Sequence, residues 1–141
     1  MDFLTALSVS ASGLAAERTR VNLATSNLAN AETTRTPDGG PYRRRDPVFE
    51  AVAAENGMDT GDGAPAGGVR VAEIAEDDQP GRKVYSPGHP DADADGFVTL
   101  PNVNPIHEVV NLMSASKAYE ANATAIETLK SMAMRALDIT R

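Results

Sequence analysis

Apolar positions recur every seven residues near the N-terminus, at Leu7, Leu14, Val21 and Leu28, with Leu4, Ala11 and Ala24 beside them. That is the spacing of one coiled-coil seam. Four heptads of helix cover roughly 40 Å at about 1.5 Å per residue. The pattern predicts a helical segment over residues 1–34, stopping near Asn30 because Asn tolerates the left-handed backbone of a helix end. Thr36-Pro37 and Asp38-Gly39-Gly40-Pro41 then forbid continuation. A second seam closes the chain at Leu112, Tyr119, Ile126 and Ala133, flanked by Val109, Ala123, Leu129 and Met132. Asn104 suits its N-cap and Pro105 its first turn. No Gly or Pro interrupts from Ile106 to Arg141, so this helix is expected over residues 105–141.

Between the helices, short strands are expected at Tyr42–Glu50, Val69–Ile74, Arg82–Tyr85 and Phe97–Leu100, and Pro47 confines the first to an edge or bulge. Residues 55–68 have the composition of a flexible loop. The expected fold is mainly α with a small β-rich middle: long N- and C-terminal helices paired as a coiled coil, short strands and loops between them. Three zones follow: an N-terminal helix (1–34), a β/loop-rich middle (35–104) and a C-terminal helix (105–141).

Composition sharpens that division. Of 20 acidic and 13 basic residues, the middle holds thirteen and seven, while the two ends are close to neutral. Helices from many copies can therefore pack without strong repulsion. Aromatics make up only 4% of the 141 residues and Trp is absent, so the core must rely on small aliphatic side chains. A net charge of -7 argues against nucleic acid or an anionic membrane as the main partner. The absence of cysteine excludes disulfides, zinc-thiolate sites and thiol catalysis. The N-terminus lacks the basic region and continuous apolar core of a secretory signal, and no apolar run approaches the ~20 residues of a membrane span. The expectation is a soluble chain that leaves the cytoplasm only by a route needing no cleaved signal.

A single pair of such narrow seams leaves Ala, Ser, Thr and Asn flanks exposed. Two readings stay open on periodicity alone. One is an ordinary helical hairpin over a small sheet; the other is a pair of ends that complete their folding only against other subunits.

The segment from Ser12 to Thr33 resembles the N-terminal signature of bacterial flagellar rod, hook and junction proteins. The matching residues are Ser12-Gly13-Leu14, Ala16, Arg18, Asn27-Leu28-Ala29-Asn30 and Thr33. Toward the C-terminus, His89-Pro90-Asp91-Ala92, Gly96-Phe97-Val98, Pro101-Asn102-Val103-Asn104 and the segment Ala115–Asn122 resemble the short members of the flagellar basal-body rod protein family, those of the proximal rod. The resemblance implies a structural subunit that polymerises through its terminal helices into a hollow, torque-transmitting shaft crossing the periplasm. It implies copies of the same chain, other rod proteins and the basal-body base as partners. It also implies export through the flagellar type III apparatus without a cleaved signal, with no direct membrane insertion. Phe3 and Leu7 fit a short apolar export element of such substrates, although any amphipathic helix start supplies the same spacing. The assembly interface expected on this reading is Leu7, Leu14, Val21 and Leu28 with Leu112, Tyr119, Ile126 and Leu129. Asn22, Ser26 and Asn30 share one ridge and are expected to hydrogen-bond neighbours or line a polar lumen.

Other constellations carry less. Asp91, Asp93, Asp95 and Gly96 match the opening of an EF-hand loop, but Asn102 stands at the twelfth position in place of Glu. An acidic turn before a strand explains them, and no metal or cofactor is expected. His89 and His107 are the two histidines; a solvated turn accounts for the first and a helix start for the second. Arg43, Arg44 and Arg45 form either a solvated strand face or an ion-pairing patch for a neighbouring subunit's acidic middle. No nucleophile elbow, phosphate loop or His-Glu metal helix is present, and no enzyme is expected. The rival readings are a monomeric calcium-dependent binding module and a cytoplasmic helical adaptor.

Overall fold

A computed structural model describes residues 3–52 and 67–139. Its elements run α1 (Phe3–Ala29), β1 (Arg45–Ala51), β2 (Val69–Glu76), β3 (Lys83–Tyr85), β4 (Phe97–Thr99) and α2 (Pro105–Ile139). All four expected strands are there, each shifted by a few residues at most. Of the loop expected at 55–68, residues 55–66 lie outside the described residues.

The 27-residue α1 is rich in hydroxyls, which it satisfies on its own backbone. Ser8 donates to the Thr5 carbonyl at 2.9 Å, Ser12 to Val9 at 2.7 Å, Thr19 to Ala15 at 3.1 Å and Thr25 to Val21 at 2.8 Å. The helix stops where expected, for a different reason. Among the described residues only glycines have positive φ, so Asn30 does not take the left-handed conformation. Its side-chain amide instead donates to the Ser26 carbonyl at 2.9 Å, while its backbone N–H reaches the same carbonyl at 3.0 Å. Thr33 closes the turn by donating to the Asn30 side chain at 3.1 Å. At the start of α2, Asn104 Oδ1 accepts the Ile106 N–H at 3.0 Å. That leaves Pro105 at the first helical position, where its missing N–H costs nothing.

The two helices pack antiparallel. Arg20 donates to Asn111 and Asn27 to Glu108 across the pair, and Gly13 lies against Asn122. The closest approach falls on small side chains: Ala16 and Ala24 on α1 and Ala115 on α2 are buried. The heptad residues flank this line. Leu7, Leu14, Val21, Leu28, Leu112, Ile126 and Leu129 are half-buried, and Tyr119 is exposed. Close helix spacing favours the smallest side chains at the contact, so the larger ones are displaced to its borders.

Among its described residues the middle holds two separate antiparallel pairs, β1–β2 and β3–β4. In the first, Val48 pairs with Glu73 and Phe49 with Val71, leaving Ala72 as an extra residue on β2. Pro47 sits beside this bulge, opposite Ile74; in a two-stranded ribbon it has an open edge to face. Helix α1 packs on both β1 and β2, and Ser12 Oγ accepts the Val69 N–H at 3.1 Å. In the second pair, Tyr85 and Phe97 meet edge to face at 5.3 Å. Gly81 is required just before β3, because a Cβ there would lie 1.8 Å from the Leu100 carbonyl oxygen.

Candidate functional site

The most deeply buried large side chains are polar ones, Asn27 and Glu108, and they meet where both helices join the middle. Asn27 sits near the end of α1 and Glu108 in the first turn of α2. The Asn27 amide imitates a peptide unit. Its Nδ2 donates to the Arg45 carbonyl at 2.8 Å while its Oδ1 accepts the Arg45 N–H at 3.0 Å. The same Oδ1 accepts the Tyr42 hydroxyl at 2.9 Å, and Nδ2 also donates to Glu108 Oε2 at 3.1 Å. Every hydrogen-bonding position of this buried amide is thus engaged.

Glu108 completes the junction from the other side. Its Oε1 accepts Arg44 Nε at 2.6 Å. The Arg44 guanidinium also forks onto Asp46, with one bond at 3.0 Å. Burial works against the Arg44 charge, but its hydrogen bonds to Asp46 and Glu108 outweigh it, and the guanidinium pKa is raised. The Arg44 backbone N–H is taken by Asn102 Oδ1 at 2.9 Å, and Asn102 Nδ2 donates to the Asp77 carbonyl at 3.1 Å. Pro101 and Val103 are buried on either side of Asn102. A cleft of about 580 Å³ opens beside the junction between Arg44, Gln79, Asn102, His107 and Asn111.

The motif residues therefore converge. Asn27, Asn30 and Thr33 finish α1 and tie it to the middle, since the Thr33 carbonyl accepts the Tyr42 N–H at 3.0 Å. Ser12 holds β2, Gly13 lets α2 approach, and Pro101 through Asn104 build the entry to α2. Leu14 and Leu28 are half-buried; Arg18 and Ala29 are exposed. Sequence reasoning missed Glu108, Tyr42 and the Arg45 backbone as partners of Asn27, and Arg44 as the partner of Glu108. The detectable signal was a lone Glu in the first turn of an apolar helix, beneath a lone Arg cluster.

That basic cluster is occupied within its own chain. Arg43 pairs with Asp78 at 2.6 Å, Arg44 with Glu108, and Arg45 with Glu76 at 2.7 Å while its guanidinium lies over the Tyr42 ring. Arg43 and Arg45 remain exposed, whereas Arg44 is drawn into the junction. On the ridge, Ser26 lies 3.5 Å from the Tyr42 hydroxyl, Asn30 is spent on its cap, and Asn22 is exposed.

The acidic turn is likewise tied down. Asp91 accepts the Thr34 hydroxyl at 2.8 Å and pairs with Arg35 at 2.5 Å. The Thr34 hydrogen bond, seconded by the Arg35 charge, holds the Asp91 carboxyl below its ordinary pKa. Asp93 accepts the Asp95 and Phe97 N–H groups, and His89 Nδ1 accepts the Asp91 N–H at 3.1 Å. His107 is exposed beside the cleft. No helix among the described residues is long and apolar enough to cross a membrane.

Paired terminal helices, a hydrogen-bonded junction and a small β middle define a structural protein that presents two long helical faces. Residues 7–35 match the family described as flagella basal body rod protein, and residues 94–139 match the flagellar basal body rod FlgEFG protein C-terminal family. The chain is 44% identical over 139 residues to the flagellar basal-body rod protein FlgC of Escherichia coli O6:H1, covering 99% of this chain and 98% of that one. It is 42% identical over 152 residues to FlgC of Borreliella burgdorferi, with 99% and 98% coverage. Against FlgC of Bacillus subtilis it is 42% identical over 142 residues, with 94% and 95% coverage. The chain belongs to the FlgC family of flagellar basal-body rod proteins.

Proposed function

We propose that this chain is a structural subunit of the flagellar basal-body rod, in its proximal part, polymerising through its terminal helices with copies of itself and with other rod proteins. Its likeness to rod proteins along almost its whole length carries this reading. It belongs to a structural family and is not an enzyme. The helices add physical support: Leu4, Ile106, Val110, Met113 and Met132 are all more than half exposed, apolar surface that neighbouring subunits would cover. The interface is assigned to Leu7, Leu14, Val21, Leu28, Leu112, Tyr119, Ile126 and Leu129, none of them fully buried within one chain. Residues 1–34 and 105–141 serve as the assembly core, and residues 35–104 face outward.

The finer reading is a hollow, torque-transmitting shaft in the periplasm, reached by the flagellar type III apparatus without a cleaved signal. Phe3, which is exposed, and half-buried Leu7 are the proposed export element. Leu14→Asp tests the assembly role: the variant is exported at the normal level but fails to enter rods, and motility is lost. Rods and swimming at the unsubstituted level would overturn the proposal.

A further inference from the structure

The helix pair carries an ambiguity that its packing alone does not resolve. Across the antiparallel seam Gly13 lies against Asn122 and Asn27 against Glu108, so facing positions on each helix are spaced by multiples of seven. Sliding α2 by one heptad would put Gly13 against Ala115 and Arg20 against Glu108. The first is a small-on-small contact, and at the second the flexible Arg20 stem can lie along either a carboxylate or an aliphatic side chain at position 108. Ala16 and Ala24, being small, would resist neither shift. A seam of small residues therefore specifies close approach but not register, which is the situation in which one buried polar contact decides between alignments.

We infer that the Asn27–Glu108–Arg44 cluster is the register pin of this helix pair, selecting one of several sterically acceptable alignments. Three parts of the chain meet in it. Asn27 belongs to α1, Arg44 and the Arg45 backbone to the middle, and Glu108 to α2. In a slipped pair Asn27 would keep Tyr42 and Arg45 but lose Glu108, and Glu108 would leave Arg44. Arg44 would also lose Asn102, which moves with the start of α2. Only the native alignment satisfies all of these buried groups at once. The consequence reaches beyond one molecule, because register fixes which side chains line up along the outer faces of the pair. This inference concerns the single chain and stands apart from the assembly reading.

The chain has no cysteine, so spin labels can be placed at will. Ala15→Cys on α1 and Lys130→Cys on α2 are exposed positions offset along the pair, and their separation reports sliding. The otherwise unchanged chain is expected to give one distance by electron–electron double resonance. Glu108→Leu, which keeps bulk but no polar group, should keep its helix by circular dichroism and add a second distance population. That population reflects a slip of roughly 10 Å, one heptad at about 1.5 Å per residue. Glu108→Gln, retaining an oxygen for Arg44, should restore the native distance as the main population. A single unshifted distance in helical Glu108→Leu, with only a lowered melting temperature, overturns the pin and leaves an ordinary stabilising contact. Should Glu108→Leu lose its helix, Arg44→Met carries the same test: a second population supports the pin and one native distance overturns it.

Discussion

Removing the Asn27 amide takes a partner from four groups at once: the Tyr42 hydroxyl, the Arg45 N–H, the Arg45 carbonyl and one Glu108 oxygen. Each buried group left without a partner costs about 1–3 kcal/mol. Asn27→Ala is therefore expected to destabilise by about 3 kcal/mol or more in urea unfolding, whereas Asn22→Ala, on the exposed face of the same helix, stays within about 0.5 kcal/mol. The acidic turn makes a pH-dependent counterpart. The Asp91 carboxyl is depressed by Thr34 and then by Arg35. Its contribution is complete above the ordinary carboxylate value of about 3.9 and disappears as pH falls through its lower folded value. Stability curves of the unsubstituted chain and Asp91→Asn should thus be separated at pH 6 and converge below that window. Nothing in the hydrophobic pattern revealed these residues. Pattern reading ranks large apolar side chains as core, and in the helix pair the deepest positions belong to alanines and to two polar groups that satisfy each other. The junction was visible in outline, since Asn27, Asn102 and Asn104 stood in recognisable motifs, but their partners lie up to 81 residues away and only folding brings them together.

Strands and helices were easier to foresee than the face by which the helices meet. Pro and Gly punctuate the middle, and Asn104-Pro105 announces α2; these are local signals, read from a few neighbouring residues. The meeting face is a tertiary property. The heptad of Leu and Val marks one side of α1, whereas the contact line runs through Gly13, Ala16 and Ala24, where side chains intrude least. Gly13 exposes this tension. An added Cβ there would lie 3.0 Å from Asn122 Nδ2, and moving that amide gives up its hydrogen bond to the Ala118 carbonyl. Replacing a mid-helix Gly by Ala ordinarily gains about 1 kcal/mol. Gly13→Ala should accordingly be close to neutral, and Gly13→Ala with Asn122→Ala together should recover most of that gain. Gly13→Leu, by contrast, wedges the helices apart at a cost of about 2 kcal/mol. A double-mutant cycle by thermal unfolding measures the coupling.

For the molecule as a whole, charge is segregated but exposed apolar surface is not. Most of the formal charge lies in the middle, whereas large apolar residues are left exposed both on the strands, as at Val48, Ile74, Val84 and Tyr85, and along α2, as at Ile106, Val110, Met113 and Met132. Antiparallel alignment of Gly13 with Asn122 and of Asn27 with Glu108 brings Phe3, the first residue of α1, level with Met132. The last turns of the 35-residue α2 lie beyond that level and are mostly exposed. A helical segment that short gains too little from its own hydrogen bonds to persist in water. Order in α2 should then fall away from the junction, with slow amide exchange around Ala115 and fast exchange beyond Met132. Neighbouring subunits would supply the missing cover, so helix content should rise with protein concentration. They would also bring acidic middles together, and added salt, by screening that repulsion, should move the rise to lower concentration. Circular dichroism across a dilution series at two ionic strengths tests both effects together. A dilute chain with both helices complete, melting cooperatively and insensitive to concentration and salt, would mean that one copy already buries all it needs.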